Sequence, residues 1–99
     1  MRLSLPVVAA FVYLLRCADG TLYCGWSSDP ERRLREHQAG SASRYTRTRL
    51  PVELVYTREF GSRSEAMREE VRIKGLSAAD KRRLLPRGDR SWTAGGRRG

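Results

Sequence analysis

The stretch that most constrains this chain runs from Phe11 to His37, FVYLLRCADGTLYCGWSSDPERRLREH. FVYLLRC is apolar, β-branched and aromatic, which suits a strand. CADGT reads as a turn and TLYCGW as a second strand, so the pair forms a hairpin. SSDPERRLREHQAG follows at once as a helix with clear ends. Asp29 is a good N-cap, Pro30 is tolerated at the first helical position, and Gly40 is a good stop. Arg33 and His37 are four apart and share one helix face. Leu34 and Ala39 are the apolar anchors of a largely basic helix. This unit brings Tyr13, Tyr23, Arg33 and His37 together with very little linker.

The register of the turn decides whether the tyrosines can cooperate. A two-residue type I′ loop at Asp19-Gly20 would set Tyr13 against Trp26 and Tyr23 against Arg16, on opposite faces. A three-residue loop, Ala18-Asp19-Gly20 with Gly20 left-handed, pairs Tyr13 with Gly25 and Leu15 with Tyr23. Both tyrosines then share a face with Gly25, and Val12, Leu14, Leu22, Cys24 and Trp26 make an apolar face opposite. The second register is preferred because it gives one apolar and one mixed face. It also separates Cys17 from Cys24, which argues against a disulfide.

Residues 1–10 read as a lead-in, residues 11–85 as the single domain, and residues 86–99 as a flexible basic tail. SASRYTRTRL, with its lone Tyr45, lacks periodicity and reads as a basic loop. Pro51 opens a third strand, VELVYTREF. GSRSEAMREEVRIKGL is a second helix, with Ser62 and Glu65 as a capping box and Gly75 at its end. At about 100° per residue, Ala66, Met67, Val71 and Ile73 are expected on one stripe, with Glu70 and Lys74 near its middle. Glu65, Arg68, Glu69 and Arg72 are expected as solvated charge on the other side. A carboxylate within an apolar stripe is costly unless paired or bound to a cation, so Glu70 is the odd residue. Ser77-Ala78-Ala79-Asp80 caps a short third helix through KRRLL, which Pro86 ends. The expected fold is α+β, a small three-stranded, mostly antiparallel sheet flanked by three helices in the order β-β-α-β-α-α.

Composition narrows the partners. Ninety-nine residues allow one domain. A net charge of +9 points to polyanions, either nucleic acid or an anionic membrane surface. The run MRLSLPVVAAFVYLL is interrupted by Pro6 and is too short for a membrane span. It leads into a strand rather than a cleavage site, unlike a secretory signal. Two cysteines with no CxxC spacing argue against structural zinc and fit a reducing cytoplasm. The RGD at Arg87–Asp89 is too common a tripeptide to mean adhesion.

With Tyr13, Tyr23, Arg33, His37 and Glu70 in this element order, the chain resembles the GIY-YIG nuclease superfamily from about Phe11 to Leu85. The tyrosines are ten apart, RxxxH follows on the first helix, and Ala66, Glu70 and Lys74 make AxxxExxxK on the second. The phrases LYCGWSSDPERRLREHQAG, RYTR and RSEAMREEVRIKGL look like those of its small stand-alone bacterial members. Phe11 stands where the family name has Gly, and Cys24 where it has Ile; neither supplies chemistry. The resemblance implies an endonuclease that hydrolyses phosphodiester bonds in DNA before RNA, structure- or damage-directed as in DNA repair rather than sequence-specific. Glu70 would hold a single Mg²⁺ or Mn²⁺ ion, and Arg33 would clamp the phosphate. One tyrosine would position or deprotonate water and the other would orient the phosphate. His37 would serve as a proton carrier or a phosphate ligand. Gly25 would let the substrate approach, and Arg44, Tyr45, Arg47, Arg49 and Lys74 would hold the nucleic-acid backbone. A protein partner or a homodimer would supply specificity, and no membrane is involved.

Plain readings exist for each residue singly. The tyrosines suit any sheet, His37 favours a helix C-terminus, and Glu70 can pair with Lys74 on its own helix. It is the ordered set that favours the nuclease over a non-catalytic basic nucleic-acid-binding module, or over a small basic ribosome-associated protein.

Overall fold

The computed structural model describes residues 9–86. The expected lead-in, apart from Ala9 and Ala10, and the expected tail beyond Pro86, with its RGD, lie outside the described residues. Three strands, β1 (Ala10–Arg16), β2 (Leu22–Ser27) and β3 (Glu53–Phe60), form one antiparallel sheet in the order β2-β1-β3. The helices are α1 (Pro30–Gln38), α2 (Arg44–Arg47), α3 (Arg63–Lys74) and α4 (Ala78–Arg83). The order β-β-α-β-α-α holds, with the one-turn α2 added to it.

β1 lies in the middle of the sheet, which explains its nearly unbroken apolar sequence. Val12 and Leu14 pack on one face with Cys24, Val55, Ala66, Ile73 and Leu85. Tyr13, Leu15 and Cys17 pack on the other with Val52, Tyr23, Leu34 and Leu54. The face expected to be mixed is therefore a second core, covered by α1. Ala10, already part of β1, is fully buried, so the strand begins one residue before Phe11.

The hairpin adopts the three-residue turn. Tyr13 pairs with Gly25 and Leu15 with Tyr23. Gly20 sits at φ 86°, and its N–H donates to the Cys17 carbonyl at 2.9 Å. The Asp19 carboxylate accepts from the Thr21 N–H and hydroxyl and closes the turn. Cys17 and Cys24 are both free thiols, buried in different cores. Desolvation pushes the Cys24 thiol up to about 12, so it stays a neutral core group.

β3 carries an irregularity. Leu14 faces Tyr56 while Leu15 faces Leu54, so Val55 is an extra residue. The bulge turns Val55 and Tyr56 toward the same core and leaves Leu54 on the other. The Gln38 amide ties α1 to the start of this strand. It donates to the Val52 carbonyl at 2.6 Å and accepts from the Val52 N–H at 3.1 Å.

The segment read as a loop contains α2, a single turn made by RYTR. Its signal is Ser43, whose hydroxyl accepts the Thr46 N–H, but four residues are too few for a periodicity to register. The stripe expected on α3 is also corrected. Ala66 and Ile73 are fully buried, whereas Met67 is 47% and Val71 67% exposed. The helix is rotated so that Glu69 and Glu70 flank the buried line instead of Glu70 lying in its middle. The Ser62 hydroxyl caps α3, but the Glu65 carboxylate accepts from the Gly61 N–H, one residue earlier than the box predicts. Ala39 is exposed at the C-cap of α1 and anchors nothing.

Candidate active site

The site is built on the α1 face of the sheet. Tyr13 projects from the centre of β1 and is 1% exposed. Its hydroxyl lies 3.0 Å from His37 Nε2. His37, in the last turn of α1, is completely buried, and its Nδ1 lies 2.8 Å from the Thr46 hydroxyl of α2. Thr46 is itself fully buried. Three polar side chains from three elements thus form one continuous chain through the second core. Buried polar groups of this kind are tolerated only when each is satisfied.

Arg33, one turn before His37, lies near the Tyr13 hydroxyl and donates to Glu36 Oε1 at 2.7 Å. Its guanidinium remains partly exposed, which places a fixed cation at the mouth of the buried chain. Burial raises the Tyr13 pKa, with the nearby Arg33 guanidinium opposing it. Burial first, and the Arg33 charge second, lower the His37 pKa, so the imidazole is neutral near pH 7. Both ring nitrogens are engaged inside the protein, which leaves His37 no nitrogen for a phosphate.

Gly25 has a structural duty that the substrate-approach reading missed. A Cβ there would meet the Tyr13 hydroxyl at 2.5 Å and its Cζ at 2.7 Å. The glycine gives the Tyr13 ring its place. Tyr23 stands beside it, partly exposed, with its ring 5.1 Å from the His37 ring in an edge-on arrangement. Tyr45 stacks on Tyr23 at 5.8 Å, and the Arg49 guanidinium covers Tyr45 at 3.8 Å. Arg49 also donates to Asp19 Oδ2 at 3.0 Å, linking the β1–β2 turn to the α2 segment. Arg44 and Arg47 are exposed on α2.

Glu70 stands apart from this cluster. α3 lies on the opposite face of the sheet from α1, because Ala66 and Ile73 pack with Val12 and Leu14. Glu70 therefore does not cross the tyrosine face. It lies toward the edge strand β2, where the Cys24 thiol approaches its backbone carbonyl at 3.9 Å. Lys74 pairs with the Glu70 carboxylate at 3.1 Å. The bonded pair thus stands by the edge that carries Tyr23. Glu69 turns the other way and is not solvated charge. It is held by Arg72 at 2.6 Å and Arg58 at 3.9 Å, with its side chain only 13% exposed. Arg72 first, through its hydrogen bonds, pulls the Glu69 carboxyl below its ordinary value.

The structure brings Tyr13, Tyr23, Gly25, Arg33 and His37 into one cluster, with Tyr45 and Arg49 stacked on its rim and Glu70 and Lys74 at the sheet edge. Thr46 is the polar member that sequence reasoning missed. Its only local signal was the Ser43 cap three residues earlier.

An α+β domain with two β1–β2 tyrosines on one face, an RxxxH helix over them and a glutamate helix behind is the plan of a nuclease class. Residues 9–83 match the model of the GIY-YIG catalytic domain, and the chain belongs to that family. It is similar to a UPF0213 protein of Natronomonas pharaonis, 55% identical over 75 residues, covering 76% of this chain and 88% of that protein. A UPF0213 protein of Halobacterium salinarum is 53% identical over 74 residues, covering 75% of this chain and 96% of that one. Among solved structures, the solution NMR structure of a UPF0213 protein from Bacillus halodurans is 43% identical with a TM-score of 0.51. That alignment covers 77% of this chain and 81% of that one. Among the described residues no helix is long and apolar enough to cross a membrane.

Members of this family generally use a divalent metal ion. The residues here fit a weakly held, largely hydrated one. Among the described residues no three His, Cys, Asp or Glu side chains gather into a cage. Glu70 offers a single carboxylate, partly shielded and already balanced by a lysine. Mg²⁺ characteristically keeps several waters and takes one or two carboxylates, so a lone glutamate suits it.

Proposed function

We propose that the chain is a divalent-metal-dependent endonuclease that hydrolyses phosphodiester bonds in DNA, directed by structure or damage rather than by sequence. The observation that supports this most is the buried, hydrogen-bonded Tyr13–His37–Thr46 chain with the partly exposed Arg33 guanidinium near its tyrosine end. Such burial of polar groups adds little to stability compared with an apolar core, so chemistry is the better account of it.

Arg33 binds the scissile phosphate, its planar fork matching two phosphoryl oxygens while Glu36 holds it. Tyr23, the more open tyrosine, faces the attacking water and orients it. Tyr13, buried and already engaged, positions Arg33 and Tyr23. Glu70 holds the cation, which when bound neutralises charge on the phosphate and on the leaving oxygen. Lys74 balances Glu70 in the free protein and contacts the nucleic-acid backbone in the complex. Arg44 and Arg47, exposed on α2, track the flanking phosphates, and their contribution falls with salt. A domain this small has a short footprint, so a partner or second copy would add any finer selectivity.

The test is a cleavage panel of duplex, flap, junction and single-stranded DNA and RNA, with Mg²⁺, Mn²⁺ or EDTA. Metal-dependent cutting is expected, and Glu70→Ala should abolish it. Arg33→Ala should lower the rate by about 100- to 1000-fold, as loss of a transition-state donor does. Both variants should still bind DNA. Failure of every substrate to be cut with any metal would sink the reading.

A further inference from the structure

Counting protons along the buried chain fixes the direction of each hydrogen bond. The Arg33 guanidinium near Tyr13 has only donors, so it cannot take the Tyr13 proton. Tyr13 has one proton left to give, and at 1% exposure it needs a protein acceptor. His37 Nε2, at 3.0 Å, takes it only if that nitrogen is bare. A neutral imidazole with a bare Nε2 carries its proton on Nδ1 and donates it 2.8 Å away to Thr46 Oγ1. The Thr46 hydroxyl in turn donates to the Ser43 carbonyl, three residues back, at 3.4 Å. With this assignment every group is satisfied once. The reverse one, with Thr46 donating to Nδ1, would turn an Nε2–H donor on the Tyr13 oxygen and strand the Tyr13 proton in a dry site.

We propose that Thr46 is a positioning residue of the candidate site: it holds His37 in the Nδ1–H tautomer, so that Nε2 accepts from the Tyr13 hydroxyl and fixes that oxygen near Arg33. The catalytic consequence rests on the nuclease reading; the tautomer itself does not. Thr46 acts through His37 and Tyr13 and touches no substrate. The geometry also gives the one-turn helix α2 its reason: Ser43 caps it and accepts from Thr46, and the single turn sets that hydroxyl against the ring.

His37 is the only histidine of the chain, so a ¹⁵N-histidine-labelled sample has one imidazole to observe. Spectra are recorded above the ordinary imidazole value of about 6.5, where the ring is neutral. The wild type should show a pyrrole-type Nδ1 and a pyridine-type Nε2. Thr46→Val keeps the shape but removes the acceptor, and should shift the ring to the Nε2–H form or a mixture. Thr46→Ser, which keeps the hydroxyl, should restore the wild-type pattern. If the chain cleaves DNA, Thr46→Val should slow it by about 10- to 100-fold, as loss of a partner behind a functional histidine does, and Thr46→Ser should recover most of the rate. An Nε2–H ring in the wild type would overturn the proposal, even if no valine variant folds. An unchanged tautomer in folded Thr46→Val would overturn it as well. A protein that cuts nothing yet shows the tautomer shift would remove the nuclease reading and leave the positioning role intact.

Discussion

The two faces of the sheet are packed by different rules. The α3 face is an apolar core: Val12, Leu14, Cys24, Val55, Ala66 and Ile73 meet there, and charge is confined to the flanks of the helix. The α1 face buries Leu15, Cys17 and Val52 as well, but runs Tyr13, His37 and Thr46 through them. Apolar burial contributes roughly 25 cal/mol per Å². A neutral hydrogen bond nets only about 0.5–1.5 kcal/mol, and a broken one costs more than a made one gains. One face is therefore optimised for stability, and the other holds a specific arrangement that stability alone would not select.

The contrast can be broken most forcefully by emptying the α3 face. Leu14→Ala, at a fully buried position, should cost about 2–5 kcal/mol of unfolding free energy. Denaturant titration would measure this, and any DNA cleavage per folded molecule should be unchanged. A selective loss of activity there would mean that the two faces are not separable. Gly25→Ala strikes the other face. The added methyl collides with the Tyr13 hydroxyl, and overpacking of this kind costs about 1–3 kcal/mol. Because the collision falls on the functional oxygen, cleavage should fall further than stability, and the His37 ring signals should move. An alanine variant with native spectra would show that the Tyr13 ring is not held as tightly as its contacts imply.

The smallest effect is a pH dependence that only the α1 face can produce. His37 has a folded pKa below its unfolded value, chiefly through burial. The unfolded chain therefore binds the proton first as pH falls. Stability should be level above the ordinary histidine value of about 6.5, and decline below it with a slope of at most about 1.4 kcal/mol per pH unit. The lowered carboxyls, Asp19 and Glu69, act only further down, as pH falls through the carboxylate range. Chemical denaturation between those ranges should show the slope in the wild type and not in His37→Gln. Its persistence in the variant would assign it to some other group.

The elements with local signals were legible in the sequence. Asp29-Pro30 and Ser62 start helices, Gly40 and Gly75 stop them, and each does so in the structure. The hairpin register followed from one glycine and the alternation of apolar residues, because a slip of one residue would have turned the whole apolar set outward. That register put Tyr13, Tyr23 and Gly25 on one face, and most of the candidate site came with it. The single turn of α2 was not legible, since four residues have no period to read. Nor was the rotation of α3. Met67 and Val71 look like core by composition, but the buried line of the helix against the sheet passes through Ala66 and Ile73.

Sequence by itself determined which residues would form the hairpin, where the helices begin and end, and that both tyrosines would share a face, because those are matters of backbone chemistry within a few positions. Tertiary structure alone decided that His37 is buried rather than poised at a surface, that Thr46 stands behind it, that Gly25 yields to a tyrosine ring, and that Glu70 lies toward β2 while Glu69 turns toward β3. Each of those depends on which side chains distant in sequence compete for the same space, and packing resolves that competition only once the sheet and its two covering helices are in place.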